Sequence, residues 1–395
     1  MQTINMALLG FGFNGQRVAS LFQDGFLVSD GVRLRLAAIV EQDAAKLALA
    51  GFQCPDAMLY ADVAHLLEAL AALDITLLKL GFPIFDDATL DELAALEAAG
   101  VRVVSEKPAW FPFAPASRNR DLKPWVNFPE RFNTVLLQLA QSIDLDGTEL
   151  ICSRINTLYH DNLTARARKS VVGGCLFDKS IHDVDLIVGL LGAETALKSV
   201  GVERVHVPDA LPGIGEGLLS LRSWDSPAIG LGDAAEGYCR VHCIFESPRG
   251  SLNVTLESSW IGPDECFDQN YLPANEPQHS LSEKIDASFH HAAYERYNRK
   301  TWFVRSGSEQ VFANIQHVGS ARPFISRRGC ENAAFFGWRS PQCAALLCAA
   351  NTDATAFAES RLRSALAHEL TYEIWMTVRS AIIGNMQQIT FGAVT

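Results

Sequence analysis

The first hundred residues alternate between short apolar runs and stretches in which hydrophobic residues recur every three or four positions. The strand-like runs cover residues 4–9, 32–40, 75–80 and 101–104; residues 32–36 alternate between apolar and basic side chains, and residues 36–40 are fully apolar. Val18, Leu21 and Phe22 show the spacing that is typical of a helix with one buried face. Because strands buried on both faces of a sheet are apolar throughout, this alternation predicts a right-handed, doubly wound parallel sheet.

Local signals mark the ends of several predicted helices. Asp43 and Asp62 stand where an N-cap is needed, and a helix over residues 87–99 is expected to end at Gly100. Residues 23–31 are expected to form an expanded loop before the second strand of the sheet.

The pattern changes after a proline-rich segment at residues 110–123, which indicates a crossover between two domains. Helices are predicted at 130–142, 177–191 and 356–383, strands at 150–159, 199–207, 238–246 and 251–260, and a hairpin at 302–312. The turns at 247–250 and 306–307 favour antiparallel pairing. We therefore expect a Rossmann domain over residues 1–124 and an α+β domain with a large open, mostly antiparallel sheet over residues 125–395, with the C-terminal helix able to pack back toward the first domain.

Composition narrows the class of protein. The 395 residues are 48% hydrophobic and 20% charged, which describes a globular protein long enough for two domains. The formal net charge of −12 argues against a nucleic-acid partner. We expect no membrane-spanning segment, because Glu68, Asp74 and Lys79 interrupt the longest apolar stretch. The strand that begins directly after Met1 predicts an untargeted chain.

Cysteine usage favours the cytoplasm. The nine cysteines are an odd number, are dispersed, and include no Cys-x-x-Cys pair, so we expect reduced thiols. Cys239 and Cys243 are expected on one face of a strand and His242 on the other, which makes a poor zinc site. We expect no metal.

A glycine-rich turn follows the first strand. Gly10-Phe11-Gly12-Phe13-Asn14-Gly15 matches Gly-x-Gly-x-x-Gly between a strand and a helix. In this context the first glycine permits a tight turn, the second lets the backbone approach a pyrophosphate, and the third lets the helix pack closely on the strand. The motif predicts a dinucleotide site formed by residues 10–15.

Glu41 ends the second predicted parallel strand. A carboxylate at this position can accept hydrogen bonds from both ribose hydroxyls of an adenosine, and it would repel a 2′-phosphate. NAD is therefore favoured over NADP. A solvated glutamate at a strand end is the alternative.

Lys107 follows the strand at 101–104, within Ser105-Glu106-Lys107-Pro108. Ligands of open α/β sheets bind at the carboxyl ends of the strands, so this lysine is expected to face a cofactor. Pro108 fixes the backbone where the chain leaves the sheet. Glu106 is expected to steer the ammonium group of Lys107 or to contact the cofactor.

A second group of polar residues lies on the helix predicted from about residue 177. Asp178 and His182 are four residues apart and therefore share a face, which Asp185 also joins. A carboxylate one turn from an imidazole can orient it and raise its basicity, as a general base requires. The alternative is an amphipathic helix with a polar surface stripe.

The order of these motifs resembles that of the glucose–fructose oxidoreductase, inositol dehydrogenase and rhizopine catabolism (Gfo/Idh/MocA) family. The similarity covers Gly-x-Gly-x-x-Gly, Glu-Lys-Pro and Gly-Gly-x-x-x-Asp-x-x-x-His, and extends to the segment 127–132. It implies a two-domain dehydrogenase that is a homodimer or homotetramer. It implies Lys107, Asp178 and His182 as the catalytic group, with Gly81 and Glu106 beside the cofactor.

The resemblance implies hydride transfer between a nicotinamide cofactor and a secondary alcohol or ketone of a polyol, sugar or sugar derivative. Asn127, Arg131 and Tyr159 are further candidates for contact with substrate, together with Asp178 and His182. An NAD-dependent glycosidase and a non-catalytic dinucleotide- or sugar-binding regulator are the alternatives.

One segment departs from the family pattern. Lys79-Leu80-Gly81-Phe82-Pro83 stands where members usually have a Thr-Pro-Asn type of turn. The change alters the wall near the expected nicotinamide position. Lys79 is expected to be structural rather than a ligand of the cofactor or substrate.

Overall fold

The structure is a computed structural model that describes residues 1–29, 31–82, 87–107, 124–140, 143, 145, 147–156, 174–206, 236–259, 298–307, 309–314, 324–327, 330–333 and 339–392. The chain forms two compact units, Met1–Phe132 with Trp338–Ala365, and Asn133–Gly337 with Leu366–Thr395. The predicted division between residues 124 and 125 stays a prediction, because compactness does not by itself define a domain that folds alone.

The first unit is built on a parallel sheet. Its strands are β1 (Gln2–Leu9), β2 (Phe26–Ser29), β3 (Val32–Val40), β4 (Met58–Tyr60), β5 (Ile75–Leu80), β6 (Arg102–Ser105) and β7 (Trp125–Val126). Its helices are α1 (Phe13–Ala19), which continues into a 3₁₀ turn at Ser20–Phe22, α2 (Ala44–Gln53), α3 (Val63–Leu73) and α4 (Asp87–Ala98). Within the described residues the strand order is β2-β3-β1-β5-β6-β7, and β4 also pairs with β3.

The expected loop at residues 23–31 is wrong, because it contains β2, which pairs antiparallel with β3. Gly25 and Gly31 both have positive φ and allow the chain to reverse at each end of this short strand. Phe26 lies under the guanidinium group of Arg33 on β3, at 4.5 Å from the ring centroid. Every other strand of the sheet described here runs parallel to its neighbours.

Apolar side chains cover both faces of this sheet, as a doubly wound fold requires. One core cluster combines the sheet with residues of α1, α2 and a further helix, α7 (Arg339–Asn351). The other combines it with residues of α3 and α4. Leu346 and Ala349 of α7 are fully buried against the sheet. The sequence patterns did not predict α7, because residues 343–350 are a continuous run of cysteine, alanine and leucine without a helical period.

The predicted helix caps are confirmed. The Asp43 carboxylate accepts from the backbone N–H of Ala45 at 2.9 Å, and Asp62 does the same for His65 at 2.9 Å. Gly100 takes a positive φ just after α4. Side-chain acceptors at N-caps satisfy helix N–H groups that otherwise lack a partner.

The second unit is built on a larger, mostly antiparallel sheet. Its strands are β8 (Thr148–Asn156), β9 (Ala196–His206), β10 (Tyr238–Ser247), β11 (Gly250–Ser259), β12 (Asn298–Ser306), β13 (Glu309–Asn314), β14 (Phe324–Arg327) and β15 (Cys330–Ala333). Within the described residues their order is β15-β14-β13-β12-β8-β11-β10-β9. β8 and β11 pair in parallel, and each remaining described pair is antiparallel.

Both predicted hairpin turns are confirmed, since Ser247 pairs with Gly250 and Ser306 pairs with Glu309. The helices after β7 are α5 (Thr134–Ala140), α6 (Ile181–Leu191), α7 (Arg339–Asn351) and α8 (Ala354–Gly392). The expected helix at 130–142 is instead a 3₁₀ turn, Pro129–Phe132, followed by α5. α8 is longer than predicted at both ends. No helix in the described ranges has the length and apolar character needed to cross a membrane.

Candidate functional site

The glycine-rich turn connects β1 to α1 through three positions with different steric demands. Gly10 has a φ of 89° and donates its N–H to the carbonyl of Val40 at 2.8 Å. A Cβ on Gly15 would lie 2.0 Å from the carbonyl oxygen of Gly10, so no other residue fits there. A Cβ on Gly12 would meet no heavy atom of the described residues within 4 Å. Gly12 therefore faces open space, where a ligand can approach the backbone.

Glu41 is joined to this turn by hydrogen bonds. Its Oε2 accepts from the backbone N–H of Phe11 at 2.6 Å, and its Oε1 accepts from Asp43 at 2.9 Å. Each carboxylate oxygen has a further lone pair for another donor. The side chain of Phe11 is buried in the core, so this residue serves the site through its main chain. Asn14 is half-buried on α1.

The segment after β5 packs against the glycine-rich turn. Gly81 donates its N–H to Leu9 at 2.8 Å, and a Cβ on Gly81 would lie 2.5 Å from the Gly10 carbonyl oxygen. The ring of Phe82 lies against Gly10, where a Cβ on Gly10 would come within 2.4 Å of it. These contacts explain why a glycine followed by an aromatic residue stands here. Pro83 lies outside the described residues.

Lys79 has an unusual environment for a lysine, because its side chain is entirely buried at this end of the sheet. Its Nζ donates to Oε1 of Glu106 at 2.5 Å and to the carbonyl of Leu80 at 2.8 Å. Burial lowers the pKa of Lys79, and the neighbouring carboxylate of Glu106 opposes that shift. The burial and ion pair of Lys79 favour the structural role predicted for it over contact with a cofactor or substrate.

Asn127 extends this network to α7. Its Nδ2 donates to Glu106 at 3.3 Å and to Oε1 of Gln342 at 2.8 Å. Its Oδ1 and the hydroxyl of Ser105 are buried, and neither has a hydrogen-bond partner in the part of the chain described. Buried polar atoms are normally satisfied, so these two mark a place for a water molecule or a polar ligand.

Lys107 follows this network at the carboxyl end of β6 and is half-buried. The carboxylate of Glu106, which was expected to steer it or to contact the cofactor, is already held by Lys79 and Asn127. Arg131, a substrate candidate, donates to the hydroxyl of Ser364 at 3.0 Å within the same unit. Tyr159 and Pro108 lie outside the described residues.

In the second unit, the motif helix begins with a π-helical turn, Leu176–Ser180, and continues as α6. Turns of this kind occur frequently at functional sites. Asp178 is buried in the turn, and its Oδ2 lies 3.0 Å from the Nζ of Lys179. His182 is half-buried at the start of α6. The orienting contact from Asp178 to His182 stays a prediction.

The π-helical turn is tied to β11 by two side chains. The hydroxyls of Ser180 and Ser258 lie 2.6 Å apart, and the thiol of Cys175 donates to the carbonyl of Ser258 at 3.3 Å. Burial is the main reason that the pKa of Cys175 is well above its usual value. This thiol is therefore a neutral packing group rather than a nucleophile.

Glu236 reaches the same turn from the strand side and was missed by the sequence patterns. Its Oε1 accepts from the backbone N–H of Leu176 at 3.1 Å, and its own carbonyl accepts from Cys175 at 3.0 Å. Gly174 has a φ of 92°, and a Cβ there would lie 2.1 Å from the Glu236 carboxylate. Burial raises the pKa of Glu236 to about 7.

Asp183 anchors α6 to the sheet. Its two carboxylate oxygens accept from Nε and Nη2 of Arg154 at 2.6 and 2.8 Å, and Oδ1 also accepts from Nε1 of Trp302 at 2.7 Å. All three side chains are buried. This ion pair fixes the helix next to His182. Sequence reasoning missed it, because the partners are far apart along the chain.

The structure thus brings Glu41 to the glycine turn, and Glu106 to Lys79 and Asn127. Lys107 belongs to one unit and the Asp178–His182 pair to the other, so their convergence stays a prediction. No three His, Cys, Asp or Glu side chains within the described ranges are placed to hold a metal ion.

Known structures share this architecture. The chain is similar to UDP-N-acetylglucosamine 3-dehydrogenase GnnA from Acidithiobacillus ferrooxidans, at 14% identity and a TM-score of 0.56, over 95% of this chain and 100% of that one. An oxidoreductase domain protein from Kribbella flavida matches at 14% identity and a TM-score of 0.63, over 96% of this chain and 98% of that one.

A third similar structure is the 3-ketoreductase KijD10 from Actinomadura kijaniata, in complex with NADP and TDP-benzene. It matches at 12% identity and a TM-score of 0.55, over 93% of this chain and 96% of that one. No family model matches the sequence, and no curated protein matches it significantly. The chain therefore has a Rossmann-like parallel sheet and a second, large mixed sheet, which is the fold class that the sequence predicted.

Proposed function

We propose that this protein is a Gfo/Idh/MocA-type, NAD-dependent oxidoreductase that transfers hydride to or from a secondary alcohol or ketone of a polyol, sugar or sugar derivative. The observation that carries the proposal is the glycine turn at residues 10–15. Gly10 and Gly15 are required by close backbone packing, whereas Gly12 faces open space beside Glu41. Both features fit a dinucleotide whose pyrophosphate lies against the backbone.

A nicotinamide cofactor held there supplies the acceptor and donor of hydride. The chain itself supplies the proton chemistry. We assign His182 as the base that takes the hydroxyl proton, Asp178 as the carboxylate that orients and stabilises the imidazolium, and Lys107 as the donor to the substrate oxygen. The assignment of Lys107 is supported by the position of this residue at the carboxyl end of β6. The assignment of Asp178 is supported by its place in the π-helical turn.

A sugar derivative is supported by two similar structures, a UDP-N-acetylglucosamine 3-dehydrogenase and a 3-ketoreductase bound to TDP-benzene. The preference for NAD is supported by the two N–H donors that hold the Glu41 carboxylate beside the turn, where its charge opposes a 2′-phosphate. E41Q should therefore weaken NADH binding and reduce the ratio of the affinities for NADH and NADPH, as measured by fluorescence titration.

The decisive experiment is turnover of a panel of polyols, sugars and nucleotide sugars with NAD, followed by NADH absorbance. K107A and H182A should bind NADH normally, and H182A should lose about 10²–10⁴-fold in kcat. K46A and H65A, which change exposed side chains, are the matched controls and should keep turnover. Normal turnover by both K107A and H182A would overturn the catalytic assignment. Aglycone release without net NADH would identify a glycosidase instead.

The family resemblance also supports a homodimer or homotetramer that acts in the cytoplasm. Sedimentation velocity at micromolar concentration should give a mass two or four times that of one 43.2 kDa chain. A single monomeric species would contradict this part of the proposal.

A further inference from the structure

Glu236 lies where it can control the turn that carries the proposed catalytic pair. Three of its contacts bear on residues 174–176: the Oε1 acceptor for Leu176, the carbonyl acceptor for Cys175, and the packing of the carboxyl group against Gly174. The π-helical turn with Asp178 starts at Leu176, and His182 follows one turn later. Any movement of Glu236 therefore acts directly on the start of this helix.

The surroundings of the carboxyl group favour its neutral form. Glu236 is fully buried, and its Oε2 has no hydrogen-bond partner in the described part of the chain. An ionised carboxylate would be stabilised by the backbone N–H groups of Leu176 and of Glu236 itself, and its Oε2 would still lack a hydrogen bond from the described residues. An unsatisfied buried charge is more costly than an unsatisfied hydroxyl.

The titratable groups that face Glu236 come from three elements. Arg379 on α8 favours the ionised form, and it is the one charged side chain that acts electrostatically on Glu236 among those described. Cys175 in the turn and Cys239 on β10 are neutral thiols, since burial and the nearby Glu236 both raise their pKa values. Burial outweighs Arg379, which leaves both forms of Glu236 accessible near neutral pH.

We propose that Glu236 is a positioning residue whose protonated carboxyl group holds the turn at residues 174–176, and whose ionisation loosens that turn and misaligns Asp178 and His182. The inference rests on the proposed function only for its catalytic consequence. The hydrogen-bonded hold on the turn is a property of the folded chain without substrate.

The first test therefore needs no substrate. Infrared spectra of the wild-type protein should show a buried protonated carboxyl band that disappears as pH rises through about 7. The hydrogen-exchange protection factors of residues 176–182, which are corrected for the base catalysis of exchange, should fall over the same range. E236Q, a neutral mimic, should lack this band, and its protection factors should stay high at every pH. E257Q is the matched control, since Glu257 is a buried carboxyl that bonds Ser153 and Tyr238. Exchange in wild type that does not follow the carboxyl band would overturn the proposal.

The second test uses turnover. Wild type should lose kcat about tenfold per pH unit above the ionisation, the limit for a single titrating group, whereas E236Q should keep its kcat there. The dissociation constant of NADH should not change in E236Q. An alkaline loss that is equal in wild type, E236Q and E257Q would overturn the positioning role. If no substrate is turned over at all, the proposed function fails, and the substrate-free test still decides whether Glu236 holds the turn.

Discussion

The ammonium group of Lys79 donates a 2.5 Å hydrogen bond to the carboxylate of Glu106, and the lysine side chain is completely buried. Neighbouring strands β5 and β6 supply the two partners, which lie 27 residues apart in the chain. A lysine is removed from water here only because a carboxylate meets it at the end of the next strand. The pair also positions Glu106 for its hydrogen bond with Asn127.

Removing one partner of this pair should cost more than removing both. We expect K79M to destabilise the protein by about 3 kcal/mol, because it leaves Glu106 without its counter-ion in a largely buried site. The double variant K79M/E106Q should recover part of that loss. Urea unfolding measures both. K46M, which breaks an exposed pair with Asp43, should cost less than about 1 kcal/mol. Additive losses in K79M and E106Q would show that the pair is not energetically coupled.

The glycine turn allows a sharp comparison between two alanine substitutions. G15A should lose at least about 2 kcal/mol, because its Cβ would lie 2.0 Å from the Gly10 carbonyl oxygen. G12A should lose less than about 1 kcal/mol, because Gly12 is an N-cap that faces open space. Its NADH affinity should nevertheless fall at least about tenfold, since the methyl group would fill the place of the pyrophosphate. Thermal unfolding and fluorescence titration separate the two effects, and a G12A variant with normal NADH affinity would contradict this placement of the ligand.

Features that the sequence alone could predict are local ones. The glycine turn, the caps at Asp43 and Asp62, and the hairpin at 247–250 each depend on residues within a few positions of one another. Their physical signals, such as steric freedom at glycine or a short side-chain acceptor, are therefore visible in a short window.

Features that the sequence could not predict depend on distant partners. β2 is a strand because it pairs with β3. Its four residues are too few to show a reliable hydrophobic periodicity. The roles of Lys79 and Glu236 depend on residues 27 and 60 positions away. Charged residues are rarely buried unless paired, so such positions are poorly anticipated from composition or spacing.

The ion pair of Asp183 with Arg154 should be the strongest single anchor of α6. D183A should destabilise the protein by about 3–5 kcal/mol, because it leaves a buried guanidinium group without its carboxylate. W302F keeps the ion pair but removes one hydrogen bond to the same carboxylate and leaves a cavity at a buried side chain, so it should cost at least about 1.5–3 kcal/mol. E246Q, which breaks the exposed pair with Lys198, is the control and should cost less than about 1 kcal/mol. A D183A variant as stable as E246Q would refute the anchoring role.

The raised pKa of Glu236 predicts the direction in which the free energy of unfolding changes with pH. The ordinary pKa of a glutamate is 4.5, and that of Glu236 in the folded protein is about 7. Between these values the folded state binds more protons than the unfolded state, so the free energy of unfolding falls as pH rises. The contribution of this proton is complete below about pH 4.5 and is lost as pH passes through 7; at one unit of pKa per 1.36 kcal/mol its size is about 3 kcal/mol.

E236Q has no proton to lose at this position. Urea unfolding at intervals from about pH 5 to 8 should therefore show wild type losing up to about 3 kcal/mol relative to E236Q, while every other titrating group cancels in the difference. The E257Q control should run parallel to wild type, because it keeps Glu236. Parallel curves for wild type and E236Q would mean that Glu236 has the same proton affinity in both states. The burial of its carboxyl group would then have to be compensated by donors other than the backbone N–H groups of Leu176 and Glu236.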